Sequence, residues 1–226
     1  MIEQNEVKVP TLSLEIIDMC DLTREMLELT WEGFRKLSRE RLAEAESLGR
    51  EIHRKEKHLI ELAIAERPRK EATAREIEPL RLFPSHMERI GDNMELIIRC
   101  TNRIIGEGIC YSNRAIDEIN TLFGKSAELL ECLKDALIIN DEVLVARILS
   151  DSEKFHETVG EYYIWHYDRL LKGNCIPKAS SSFLAMLDYF SEIIRHIREM
   201  AEGVGYRLAH EREKPDEGAN SERAQS

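Results

Sequence analysis

The sequence is short of the features that would direct it to a membrane, an oxidising compartment or a nucleic acid. No apolar run approaches the roughly 18 residues that a membrane-spanning helix needs, so none is expected. The opening MIEQNEVKVP lacks a basic-then-apolar leader pattern. The five cysteines (Cys20, Cys100, Cys110, Cys132 and Cys175) are odd in number and make no CxxC, so reduced thiols are expected, most of them small core residues. Basic residues are outnumbered 32 to 43, leaving a net charge of −11. With a pI of about 5.3, this argues against non-specific nucleic-acid binding and against a basic membrane-surface helix. Any membrane contact is then expected through protein partners. There is no glycine-rich phosphate loop, no HExxH and no GxSxG, and no catalytic residue is assigned.

What is present is helix-forming. Glu, Leu, Arg, Ala and Ile dominate the 226 residues, while glycine (11) and proline (6) are sparse, the composition of an all-α protein. A first amphipathic helix is predicted over 12–37, its stripe running through Ile16, Met19, Cys20, Met26, Leu29, Phe34 and Leu37. Ser38 caps a second, over 39–66, that turns Leu42, Ala45, Leu48, Ile52, Leu59, Leu62 and Ala63 inward. A third is predicted over 71–105. Pro79 and Pro84 kink it, or Pro84 starts a separate helix, and Gly106 and Gly108 end it. Three more follow: 113–139 capped by Ser112, a fifth from the Asn140-Asp141 turn to 171, and a sixth over 178–210. Residues 1–11 read as a loose start, and 211–226 as a disordered tail almost free of large apolar residues.

The six helices fall into two sets of three. A constant shift of 103 positions (156 − 53) superposes them without a gap. It pairs His53 with His156, Ile90 with Ile193, Leu27 with Leu130, Glu28 with Glu131, Ala43 with Ala146 and Ser47 with Ser150. Conservative pairs such as Met26 with Leu129, Phe34 with Leu137 and Ile52 with Phe155 fill the intervals. The reading is two tandem three-helix bundles from internal duplication, at 12–108 and 112–210.

One run stands out, Ser85-His86-Met87-Glu88-Arg89-Ile90-Gly91-Asp92-Asn93. Glu88 and Asp92 are four apart, so on a helix their carboxylates share a face. Like charges there are unfavourable unless a cation or a basic partner sits between them. The alternative is two solvated helix-face carboxylates. Gly91 costs up to about 1 kcal/mol against alanine in a helix interior, which suggests close backbone approach. The sixth helix carries a weaker echo, Leu187-Asp188-Tyr189-Phe190-Ser191-Glu192-Ile193-Ile194-Arg195-His196 followed by Met200-Ala201-Glu202.

The first run resembles the signature of the PhoU family of phosphate-uptake regulators, Asp-Leu-Glu-Arg-Ile-Gly-Asp. His86 and Met87 replace the first two residues, and Glu88 to Asp92 match in place. The echo is similar to the family's second signature, with Tyr189, Ile193, His196, Ala201 and Glu202 keeping the pattern. The resemblance implies a cytoplasmic, non-enzymatic regulator that contacts phosphate transporter components and a membrane sensor kinase. An accessory domain of a sodium–phosphate or Pit-type transporter is the alternative it leaves open.

The family often binds iron or zinc on an acidic face, through Glu/Asp-xxx-Asp pairs on the second and third helices of each repeat. By that resemblance the third-helix pair of repeat one is Glu88 and Asp92, but its second-helix pair falls on Gly49 and His53. In repeat two the pairs fall on Ser152 with His156 and on Ser191 with Arg195. An arginine at a ligand position opposes a cation, so repeat two is expected to hold no multinuclear cluster. Repeat one retains a mixed nitrogen–oxygen set, His53, Glu88 and Asp92, suited to one iron or zinc ion. His156 is a lone counterpart in repeat two, and both histidines also read as polar helix-face residues. A metal-binding helical-bundle enzyme is the competing class. Glu153 and His156 have the Glu-x-x-His spacing of di-iron bundles, but the repeat places Arg50 opposite Glu153 and breaks the symmetry such a site needs. Arg67, Arg69, Lys70 and Arg75 form a basic patch, read as a solvated loop or a contact for phosphate. Trp31, Trp165, Tyr162, Tyr163 and Tyr167 read as core or interface residues, and the broad apolar girth of the fifth helix suggests a homodimer or partner contact.

Overall fold

The computed structural model describes residues 11–65 and 78–212. The start at 1–10, the basic patch at Arg67, Arg69, Lys70 and Arg75, and the tail from 213 lie outside the described residues. The described chain is helical: α1 (Thr11–Lys36), α2 (Arg39–Ala65), a 3₁₀ turn (Glu78–Leu82), α3 (Phe83–Glu107), α4 (Asn113–Ile139), α5 (Glu142–Leu171) and α6 (Pro177–Arg212). Local chemistry sets the ends. The Ser38 Oγ accepts from the Arg41 N–H at 3.3 Å, and the Ser112 Oγ from the Ala115 N–H at 3.2 Å. Gly108 (φ 60°) and Asn140 (φ 55°) close α3 and α4 in the left-handed conformation. Leu37, expected inward, is exposed instead. It is the reversal residue between α1 and α2, at φ 50°, and its side chain is carried off the stripe.

The third helix is shorter than expected. The chain runs through the 3₁₀ turn and α3 begins at Phe83, so Pro84 sits in the first helical turn, where a missing N–H costs nothing. The shift maps Pro79 and Pro84 onto Ser182 and Leu187, which break nothing, and α6 runs unbroken from Pro177. Otherwise the two halves agree. α1 ends at Lys36 and α4 at Ile139; α2 begins at Arg39 and α5 at Glu142. Burial repeats as well. Ile16, Met19, Leu42, Met87 and Ile97 are buried, and so are their counterparts Ile119, Leu122, Val145, Phe190 and Met200.

The bundles α1–α2–α3 and α4–α5–α6 lie side by side, α3 against α6 and α1 against α4. Phe123 of α4 lies at the middle of this seam. It stacks on Trp31 at 5.9 Å, tilts against Phe34 at 5.9 Å and meets Phe190 edge-on at 4.8 Å. Polar pairs rim it: Trp31 donates to the Asn120 side-chain oxygen at 2.7 Å and Lys134 to Asp21 at 2.6 Å. Within the second bundle, Arg169 makes a two-pronged buried pair with Glu118 at 2.6 and 2.7 Å, joining α5 to α4. The five cysteines are free; Cys20 and Cys132 are buried, Cys110 is exposed, and burial pushes the Cys20 thiol up to about 12. Among the described residues no helix is long and apolar enough to cross a membrane.

Gly91 does not have the close approach expected of it. A Cβ there would meet Ile52 at 3.7 Å, an ordinary contact, whereas at Gly33 it would lie 2.5 Å from a Leu42 methyl. We expect Gly91→Ala to leave stability unchanged or raise it by up to about 1 kcal/mol through helix propensity, and Gly33→Ala to lower it, both read by urea denaturation. Phe123→Ala is expected to cost about 3–5 kcal/mol in the same measurement, because the seam cannot close over the lost ring.

Candidate functional site

Of the three residues that the resemblance grouped, His53, Glu88 and Asp92, the first two meet, and Asp92 is not among the residues whose donor atoms cluster with them. His53 projects from α2 and Glu88 from α3, and the His53 Nδ1 lies 3.2 Å from the Glu88 Oε1. α3 presents Glu88 and Asp92 one turn apart because Met87, Ile90, Gly91 and Met94 turn the opposite side into the core. His53 flanks Ile52, whose burial fixes the rotation of α2. Between the helices lies an open cavity of about 590 Å³ lined by Gly49, Arg50, His53, Arg54, Glu88, Asp92 and Glu95 among others. Asp92 lies along this cavity, its carboxylate 3.5 Å from Arg89. The basic partners that the like-charged pair requires are thus at hand, His53 beside Glu88 and Arg89 beside Asp92.

Two carboxylates there were not picked out from the sequence. Glu56 lies one turn beyond His53 and accepts from the Ser85 hydroxyl at 3.2 Å. Its donor atom, that of His53 and that of Glu88 all lie within 4.8 Å of one another. The spacing of three from His53 was the readable signal. Glu95 crosses from α3 to the place where Gly49 has no side chain; a Cβ on Gly49 would lie 2.8 Å from the Glu95 Oε1. The carboxylate missing from α2 is in this way partly replaced by one from α3, a substitution only the packing reveals. One imidazole and two carboxylates, those of His53, Glu56 and Glu88, are grouped closely enough for a single borderline cation, with Arg50 and Arg54 also lining the cavity.

The equivalent face of the second repeat does not fit one. The His156 Nδ1 donates to the Ser152 carbonyl at 2.8 Å, and the Ser191 hydroxyl donates to the Leu187 carbonyl at 3.1 Å. Arg195 grips Glu192 at 2.7 and 3.0 Å and Glu199 at 2.7 Å. Its hydrogen bond holds the Glu192 carboxyl below the usual range. The charge a cation would bring is already supplied by a guanidinium. Glu153 is exposed and its nearest cation is Arg198 at 3.8 Å, and Arg50, its repeat counterpart, lines the first cavity.

A family model described as "PhoU domain" matches residues 16–101, that is α1, α2 and most of α3. By sequence, the first repeat is thus similar to the PhoU domain over most of its length. The fold of the chain is that of solved PhoU structures. The crystal structure of PhoU from Pseudomonas aeruginosa superposes with a TM-score of 0.79 at 16% identity, over 88% of this chain and 95% of that one. The phosphate transport system regulatory protein PhoU from Streptococcus pneumoniae superposes with a TM-score of 0.76 at 14% identity, over 87% of this chain and 92% of that one. No curated protein matches the chain. The PhoU likeness thus extends through both repeats in fold, whereas the sequence match is confined to the first, the repeat that keeps the acidic pair.

Proposed function

We propose that this protein regulates phosphate uptake without catalysing a reaction, through contacts with phosphate transporter components and a membrane sensor kinase at the cytoplasmic face. The observation that carries this reading is the PhoU domain at 16–101, set in a two-bundle fold shared with a protein described as a phosphate transport system regulator. The surface suits protein contact. The far end of α5 exposes Ile164, Tyr167 and Leu171, with Trp165 half-covered by the Arg114 guanidinium at 4.4 Å. We assign this apolar end to a homodimer or partner contact. Disrupting the gene is expected to change phosphate uptake and the phosphate-starvation response, read as radiolabelled phosphate influx before and after starvation. Unchanged influx and unchanged starvation signalling would remove the regulatory role.

The first-repeat cavity is proposed to hold one iron or zinc ion on His53 and Glu88, with Glu56 and Asp92 completing the set. In untagged protein purified without chelator, about one metal per chain is expected in this cavity. Glu88→Ala/Asp92→Ala removes it, as read by elemental analysis. Equal metal in the two proteins would leave Glu88 and Asp92 as an acidic surface for partners.

A further inference from the structure

We propose that the seam between the bundles carries a separate site for one divalent transition-metal ion of the zinc class, on His86, His196 and Glu199. His86 sits in the first turn of α3, and His196 and Glu199 lie three apart on α6 facing it. Their donor atoms form a compact triangle. The two Nδ1 atoms are 3.1 Å apart, and the Glu199 Oε2 lies 3.3 Å from the His86 Nδ1 and 3.5 Å from that of His196. A tetrahedral ion with ligands at about 2.0–2.1 Å has edges of about 3.3 Å, so these atoms match one face of such a shell. The fourth vertex is left for water or a further ligand.

Hydrogen bonding alone does not account for the triangle. A carboxylate oxygen only accepts, and each Nδ1 either donates or accepts. With one ring protonated at Nδ1, the other ring's lone pair faces the carboxylate. With both protonated there, two N–H groups face each other across 3.1 Å. Every arrangement leaves one contact repulsive, whereas a cation at the centre satisfies all three. Burial holds His86 below the ordinary imidazole range; burial, then Arg195 and His86, hold His196 down to about 4.

The surroundings supply an oriented carboxylate and an entrance. Arg195 donates to the Glu199 Oε1 at 2.7 Å, which leaves Oε2 turned toward the histidines. Another guanidinium nitrogen of Arg195 lies 3.0 Å from the His196 Nε2. Binding at Nδ1 places the proton on Nε2, so that nitrogen must turn away, and Glu192 already holds it at 2.7 Å. Glu199 lines an open cavity of about 420 Å³ with Glu153, His156, Arg198 and Glu202, a route for the ion. The site is single by construction. The repeat places Tyr189, Asn93 and Leu96 at the corresponding positions, so no twin exists. It is distinct from the cavity at His53 and Glu88, and it ties the first bundle to the second. It does not rest on the phosphate reading.

The test uses the untagged full chain after chelator treatment. Co²⁺ is titrated and followed by visible absorption, which reports four-coordinate geometry, and Zn²⁺ is then added as competitor. Proteins compared are the wild type, His86→Ala, Glu199→Gln and a His53→Ala/Glu88→Ala double variant. The expected result is a tetrahedral cobalt spectrum, displaced by Zn²⁺, that is kept in the double variant, where it is complete at one equivalent, and weakened at least tenfold by His86→Ala and by Glu199→Gln. Glu199→Gln keeps the side-chain shape, and its circular dichroism verifies the fold should His86→Ala fail to fold. No cobalt spectrum in the wild type at micromolar metal, or undiminished binding in Glu199→Gln, would overturn the site. Loss of the signal only in the double variant would place the ion in the first-repeat cavity and would overturn it equally.

Discussion

Each three-helix repeat buries more apolar surface than three helices can cover for themselves, and this excess holds the molecule together. α1 and α4 carry buried residues toward their own bundle and toward the other, Phe34 and Phe123 among them. A bundle on its own would leave those rings in water, and burying each is worth about 1.5–3 kcal/mol. Pairing the two copies across α1–α4 and α3–α6 removes that exposure. The same pairing brings α3 and α6, which carry the two signature runs, against each other along the seam.

Duplication then frees the copies to diverge where the core does not constrain them. Inward positions keep their character across the shift, because a methylene too many or too few is felt in a packed interior. The outward face of α2 and α3 is under no such restraint. In the first copy Gly49 opens a space that Glu95 fills, and the face stays acidic around His53 and Glu88. In the second copy Arg195 occupies the corresponding stretch and holds Glu192 and one oxygen of Glu199. One scaffold thereby presents an acidic pair beside a histidine on one half and an arginine gripping carboxylates on the other. The family match to the first repeat alone follows the same division.

Much of this was legible beforehand. The periodicity of Ile16, Met19, Met26, Leu42 and Ile52 located the helices, and Ser38, Ser112 and Asn140 located their ends, because caps and stripes are local. The shift of 103 read from His53 and His156 reappears in helix ends and burial. Where reading failed, a competing local effect won. Pro79 and Pro84 read either as kinks in one long helix or, for Pro84, as the start of a separate one; the second holds, because a proline in a first turn begins a helix more readily than it kinks one. Gly91 reads as a contact glycine by its cost inside a helix, but the close contact is at Gly33, where α1 turns back onto Leu42.

The sequence by itself determined the helices, the repeat and the shared face of Glu88 and Asp92 on one helix. All of these follow from spacings of three, four or 103 positions along one chain. Only the tertiary structure decided how the copies meet. The approach of His86 to His196 spans 110 positions and joins residues that the repeat does not relate. The filling of the Gly49 space by Glu95 likewise depends on the distance and rotation between two helices. Those are set by the summed packing of many apolar side chains, and no short spacing in the chain encodes them.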